Sequence, residues 1–187
     1  MLGALIEMRA ELHVRAFPTE DWLRYVRQHR LDISAIGRCA SLLGVTRCEF
    51  LDNGRFDFSD SGELSAVIEV FDIDLETVID LVAWPCSDPV RFATAFGIAA
   101  GLGIDQVTNP ASFFLGKPLA VHHTPLSWLQ AGGQGVVILD DRSAPRWLGE
   151  ALGRLAAEDL EHGRRLARVL HGYLDLRRIL APVQEAA

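Results

Sequence analysis

Three apolar runs, each of strand length, break off on residues able to carry chemistry. Thr77–Trp84 (TVIDLVAW) runs into Pro85-Cys86, Pro118–Val121 (PLAV) into His122-His123-Thr124, and Gly135–Leu139 (GVVIL) into Asp140-Asp141-Arg142. Short, near-continuous apolar runs bounded by turn residues are strands covered on both faces. In an α/β sheet the carboxyl ends of neighbouring strands are where ligands and reactive side chains collect. The pattern therefore constrains the fold and marks the place to look for a site.

The flanking segments fix the order of elements. Leu2–His13 reads as a helix, although Leu12, Val14 and Ala16 alternate as a short strand does. Pro18-Thr19-Glu20-Asp21 opens a helix with Thr19 as cap, and Asp32 caps another over Ile33–Leu43, with Gly44 as its stop. Asp52-Asn53-Gly54 between Cys48–Leu51 and Arg55–Phe58 is a hairpin signal. A second hairpin joins Ser65–Phe71 to Thr77–Trp84 over an acidic turn. Ser87-Asp88-Pro89 reads as a helix start, with Gly101 and Gly103 as its end. Strand, short helix (Thr124–Ala131), strand, long helix (Pro145–Leu170) and a last strand (Arg178–Leu180) follow. That alternation implies parallel strands joined by right-handed crossovers. The expected fold is α/β with a mixed sheet: N-terminal helices, antiparallel hairpins, then a strand–helix–strand–helix–strand portion. The expected organisation is one domain over 1–187, with a helical part at 1–46 and the mixed core at 47–187.

Composition narrows the function classes. Hydrophobic residues at 49% and charged residues at 23% suit a globular core. No run approaches the roughly 18 apolar residues of a membrane span, and the N-terminus lacks the pattern of a secretory signal, so a cytoplasmic protein is expected. Cys39, Cys48 and Cys86 form no C-x-x-C pair. Of the net charge of −7, residues 51–88 carry ten acids against Arg55 alone. Such a zone repels phosphate backbones, argues against nucleic acid and suits a basic protein partner. Asp72, Asp74 and Glu76 in the second hairpin turn are the candidate partner-binding residues.

The candidate catalytic set is Cys86, His122 or His123, and Asp140. A cysteine before a helix N-terminus gains a lowered pKa, a histidine supplies the base, and an acid orients it. His122-His123 and Asp140-Asp141 also contain metal-donor types. Adjacent strand residues point to opposite faces, so one histidine at most enters any one pocket, and no metal and no cofactor is expected. Gly97–Gly103 has dinucleotide-loop glycines at a helix end instead of between a strand and a helix start. Ala40–Arg47 (ASLLGVTR) resembles the turn of a helix-turn-helix, but the segment after it is short and acidic. Residues 156–170 space acids and arginines as a solvated helix face does.

Asp140-Asp141 after an apolar strand, with the helix beyond it and a late strand at Arg178–Pro182, resembles the Toprim-type nucleic-acid enzymes. His122-His123 stands where that family places a glutamate, so the resemblance implies the fold without metal-dependent catalysis. The strings Asp80–Pro85, Arg91–Thr94, Thr124–Leu129 and Gly135–Leu139 together resemble an uncharacterised group of proteins from alphaproteobacteria and their prophages, over roughly residues 60–182. That resemblance implies a mobile-element setting and carries no activity. The leading expectation is a non-catalytic accessory protein of a phage or mobile element that binds a macromolecular partner. A small cysteine-dependent hydrolase and a helix-turn-helix-like DNA-binding protein are the alternatives.

Overall fold

The computed structural model describes residues 2–16, 19–39 and 42–182. Its centre is a pair of five-stranded sheets with helices packed on their faces. The first sheet holds β1 (Leu43–Phe50), β2 (Phe56–Phe58), β3 (Glu63–Phe71), β4 (Val78–Pro85) and β5 (Ala93–Thr94) in the order β2-β1-β3-β4-β5. Its strands pair antiparallel throughout, and one isolated parallel bridge joins Arg55 to Thr94. The second holds β6 (Gly101–Leu102), β7 (Leu119–His122), β8 (Val136–Ile138), β9 (Leu155–Ala157) and β10 (Ile179–Leu180), in the order β10-β9-β7-β8-β6. Strands β10, β9, β7 and β8 run parallel, and β6 closes the edge antiparallel. The mixed α/β class, with antiparallel hairpins first and parallel strands later, is what the sequence pattern calls for.

Helix α1 (Leu2–Ala16) resolves the ambiguity of the first segment as helix. Its Leu5 and Leu12 are buried against Val67, Leu81 and Ala83, one face of the first sheet. Helices α2 (Glu20–His29) and α3 (Ile33–Cys39) cover the other face, where Tyr25, Val26 and Ile36 meet Ile68, Val82 and Trp84. Thr19 caps α2 as its sequence demands, accepting from Trp22 N at 3.2 Å. The same cluster takes in Leu102, Trp128 and Val137 from the second sheet and its helix α4 (Pro125–Gln130), so the two sheets share a core. Helices α5 (Ala144–Leu148) and α6 (Leu160–Val169) bury Leu148 and Leu166 on the far side of the second sheet.

Asp80 governs the link between the sheets. It lies in β4 with no solvent exposure, yet every expectation from an alternating strand would put an apolar residue there. Its Oδ1 accepts from Leu81 N at 2.8 Å and Phe96 N at 2.9 Å, and its Oδ2 from Ile98 N at 2.8 Å and Ala99 N at 3.1 Å. A buried carboxylate is tolerable where backbone donors surround it like this. The same bonds explain a correction. Residues 89–100 do not form the helix read from Ser87-Asp88-Pro89, because their amides serve Asp80 and β5 instead of a helical ladder.

Two further expectations fail locally. The long helix over 145–170 is α5, β9 and α6, because Leu155-Ala156-Ala157 pairs with Leu119–Val121 and breaks the helical run. Gly153 just before it packs so closely on the Phe113 ring that a Cβ would collide with it. The helix-turn-helix reading of residues 40–47 falls partly outside the described residues; from Leu43 onward the chain is β1, paired to β3 from Leu43↔Ile68 to Cys48↔Glu63. Residues 48–54 are strand end and hairpin turn, not a recognition helix.

Removing the Asp80 carboxylate leaves four amides without their acceptor. Asp80→Ala is expected to lower unfolding free energy by about 3–5 kcal/mol in urea titrations. A loss below about 1 kcal/mol would mean those amides find other partners without cost.

Candidate site at the carboxyl edge of the parallel sheet

Strands β7 and β9 are parallel neighbours, with Val121 opposite Ala157, so the residues just past both ends converge. Those residues are His122-His123 and Glu158-Asp159. Thr124 ends the first segment by capping α4: Ser127 N donates to its Oγ1 at 3.0 Å, and the Ser127 hydroxyl lies at 3.1 Å from that oxygen. Asp159 ends the second by capping α6, accepting from His162 N at 2.7 Å. The cap places His162 in the first turn of α6, with its ring turned back over the strand ends.

The resulting contacts are dense. His122 Nδ1 lies 2.8 Å from Glu158 Oε1, and His122 Nε2 lies 2.8 Å from the carbonyl oxygen of Gln134. Both neighbours present oxygens to the ring nitrogens and hold the imidazole between the β9 end and the loop before β8. Glu158 Oε2 accepts from His123 N at 3.2 Å. His123 Nε2 lies 3.2 Å from Asp159 Oδ2, and its ring stacks on that of His162 with centroids 3.9 Å apart. Glu158 N donates to His162 Nδ1 at 3.3 Å.

Electrostatics follow from these partners. Burial works against the charge of Glu158, but bonds from His122, Ser127 and the His123 amide outweigh it and hold its carboxyl below the usual range. The His162 amide and His123 do the same for Asp159. His162 is 2% exposed, and burial, helped by the nearby His123, pushes its pKa down to about 4. Its ring is neutral at physiological pH and keeps a lone pair.

On its other side, His122 meets a cleft of about 840 Å³ lined by the β3 end, Leu75, the segment 102–120 and the loop 131–135. That loop is held tightly. Gln106 Nε2 donates to Gly133 O at 2.9 Å, Gly135 N donates to Gln106 Oε1 at 2.8 Å, and Trp128 Nε1 donates to Gly135 O at 2.9 Å. Gly135 has φ +88°, and a Cβ there would stand 2.5 Å from the Ala120 carbonyl; only glycine lets the loop reach β7.

The four residues proposed for catalysis fall in three places. His122 and His123 stand at the site. Asp140 closes the turn into α5, accepting from Arg142 N and Ser143 N at 3.1 Å each; burial opposes its charge, but those bonds and Ser143 keep its pKa low. Asp141 pairs with Arg165 at 2.8 Å. The acids that partner the histidines are therefore Glu158 and Asp159, not the pair after β8. Cys86 follows the end of β4 in the other sheet, half-buried against the core that contains Tyr25 and Trp84. No helix follows it to lower its pKa; burial, and then the charge of Asp21, push the thiol up to about 11.

Glu158, Asp159 and His162 escaped the sequence reading because Ala156–Leu170 looked like one solvated helix. The available signal was the one used elsewhere: Gly153 followed by an apolar Leu155-Ala156-Ala157 that ends on acids.

The acidic hairpin is a second, separate surface. In the β3–β4 turn, Asp74 Oδ1 accepts from Glu76 N and Thr77 N at 2.9 Å each, and Oδ2 from the Thr77 hydroxyl at 2.7 Å. Those backbone bonds first, then the hydroxyl, hold its pKa low. Ile73 and Leu75 between the acids are 57% and 59% exposed, and Leu75 sits at φ +59°.

No family model matches the chain, and no curated protein matches it. Among solved structures, the chain is similar to the crystal structure of the primase fragment of the bacteriophage T7 primase-helicase protein, with 13% identity and a TM-score of 0.46. The match covers 70% of this chain and 57% of that fragment, so the chain spans little more than half of its length.

Cys86 is expected to behave as an inert thiol. In site-resolved alkylation at pH 8, followed by mass spectrometry, it should react on the order of a hundredfold more slowly than free cysteine. A Cys86 faster than free cysteine at neutral pH would restore it as a nucleophile.

Proposed function

We propose that the protein is a non-catalytic accessory protein of a phage or mobile element that binds a basic protein partner through the tip of the β3–β4 hairpin. The observation that carries the binding reading is the pairing of exposed aliphatics with acids on one rigid turn. Ile73 and Leu75 stand in solvent between Asp72, Asp74 and Glu76. A left-handed leucine costs about 1 kcal/mol or more, and such strain persists where the surrounding turn imposes it. Here Asp72 and Asp74 impose it: Leu75 N donates to Asp72 O at 3.0 Å while Asp74 fixes the residues beyond.

The wider acidity of residues 51–88 is partly internal. Glu69 and Asp80 are buried, Glu63 pairs with Arg91 at 2.5 Å and Asp60 with Arg15 at 2.6 Å. What faces outward at the hairpin tip is a compact apolar-and-acidic knob, with Leu75 also on the wall of the cleft. Charge complementarity points to a partner segment that carries arginine or lysine beside apolar residues. The mobile-element setting rests on the resemblance over residues 60–182. Among the described residues, no helix is long and apolar enough to cross a membrane.

Two variants test the reading without opening the turn, since Asp74 is left in place. Leu75→Gly removes the exposed side chain where glycine is at ease, so its melting temperature should hold or rise. Capture of partners from host lysate should nevertheless fall at least about tenfold, and Asp72→Asn with Glu76→Gln should weaken it further and flatten its salt dependence. Capture unchanged by both variants would sink the hairpin as the working surface.

A further inference from the structure

The shortest contact between the β7 and β9 ends is His122 to Glu158 at 2.8 Å, and His162 stands beside it from the first turn of α6. His162 is buried and stacked on a second imidazole, with the Glu158 carboxylate beside both. Its Nδ1 takes a single long contact of 3.3 Å from Glu158 N. One ring nitrogen from His123, one from His162 and one oxygen of Glu158 all lie within 4.8 Å of one another. Donor atoms on a tetrahedral zinc ion stand roughly 3.3–3.5 Å apart, so modest side-chain rotation closes the set.

We propose that His123, Glu158 and His162 form a binding site for one divalent first-row transition ion, with zinc as the type. The donor chemistry sets the class of ion. Two imidazoles and one carboxylate favour Zn²⁺ or Co²⁺, whereas Mg²⁺ and Ca²⁺ prefer all-oxygen surroundings. Three protein donors leave at least one position for water or a ligand atom, as in open zinc sites. The groups around the set are those that orient metal ligands: Asp159 Oδ2 lies 3.2 Å from His123 Nε2, and His122 lies 2.8 Å from Glu158 Oε1. Rigid elements supply all three donors, since two follow paired strands and the third is in the capped first turn of α6. This site lies on the second sheet and is independent of the hairpin tip on the first.

The test is titration of the full chain with Co²⁺, followed in the visible spectrum, and then displacement by Zn²⁺. The expected result is one Co²⁺ per chain with the intense bands of four- or five-coordination, lost on adding Zn²⁺ but not with about a hundredfold excess of Mg²⁺. His123→Ala and the shape-conserving His123→Gln, both checked for folding by circular dichroism, should bind at least about tenfold more weakly. Cys86→Ser and Asp141→Asn should bind as the parent does, which separates this site from thiols and from surface acids. The proposal is overturned by a spectrum without those bands, by competition from Mg²⁺, or by folded His123 variants that bind as the parent does.

Discussion

The four hydrogen bonds to the Asp80 carboxylate are the constraint on which the rest of the molecule depends. A charge without solvent contact in a central strand would be ruinous alone, but here it draws in the amides of Phe96, Ile98 and Ala99. Those residues lead straight into β6, which pairs with β8 at Gly101↔Ile138. The carboxylate thus fixes where the antiparallel sheet ends and the second sheet begins. Through β8 and β7 that placement reaches the histidines, because β7 pairs with β8 at His122↔Val137.

Two surfaces result, and they differ in physical character. The carboxyl edge of the parallel sheet is nitrogen-rich, partly buried and knit by contacts among His122, His123, Glu158 and His162. The hairpin tip is exposed, acidic and apolar, and held by its own Asp74. Neither uses Cys86, whose thiol is kept protonated by burial at the other sheet. Binding at the tip and ion binding at the edge therefore stand or fall separately.

Much of this was legible in the residues, and the failures have physical causes. Asn53-Gly54, Thr19 and Thr124 act locally, through a turn or a cap, and the structure places them as turn and caps. The apolar run before His122 and His123 is a strand, β7, and the two residues stand at its carboxyl end. The acids beside them are Glu158 and Asp159 and not Asp140, because parallel pairing set β9 beside β7 while β8 lies on the opposite flank. A three-residue strand such as Leu155–Ala157 has too little periodicity to stand out against helical neighbours. The absent helix at 89–100 is a non-local effect: local signals favour it, and a carboxylate from β4 takes its amides. Hydrogen bonding across 16 to 19 residues overrides propensity, and the helical signals within 89–100 carry no trace of the Asp80 carboxylate.

Native-state hydrogen exchange gives the most direct test of the claim that Asp80 joins the two sheets. Phe96, Ile98 and Ala99 lie outside the strands, yet their amides are predicted to exchange as slowly as those of Val67 and Val82 in the paired core, through global unfolding. Exchange of those three amides at the fast rate of the exposed Asp72–Glu76 turn would contradict the account.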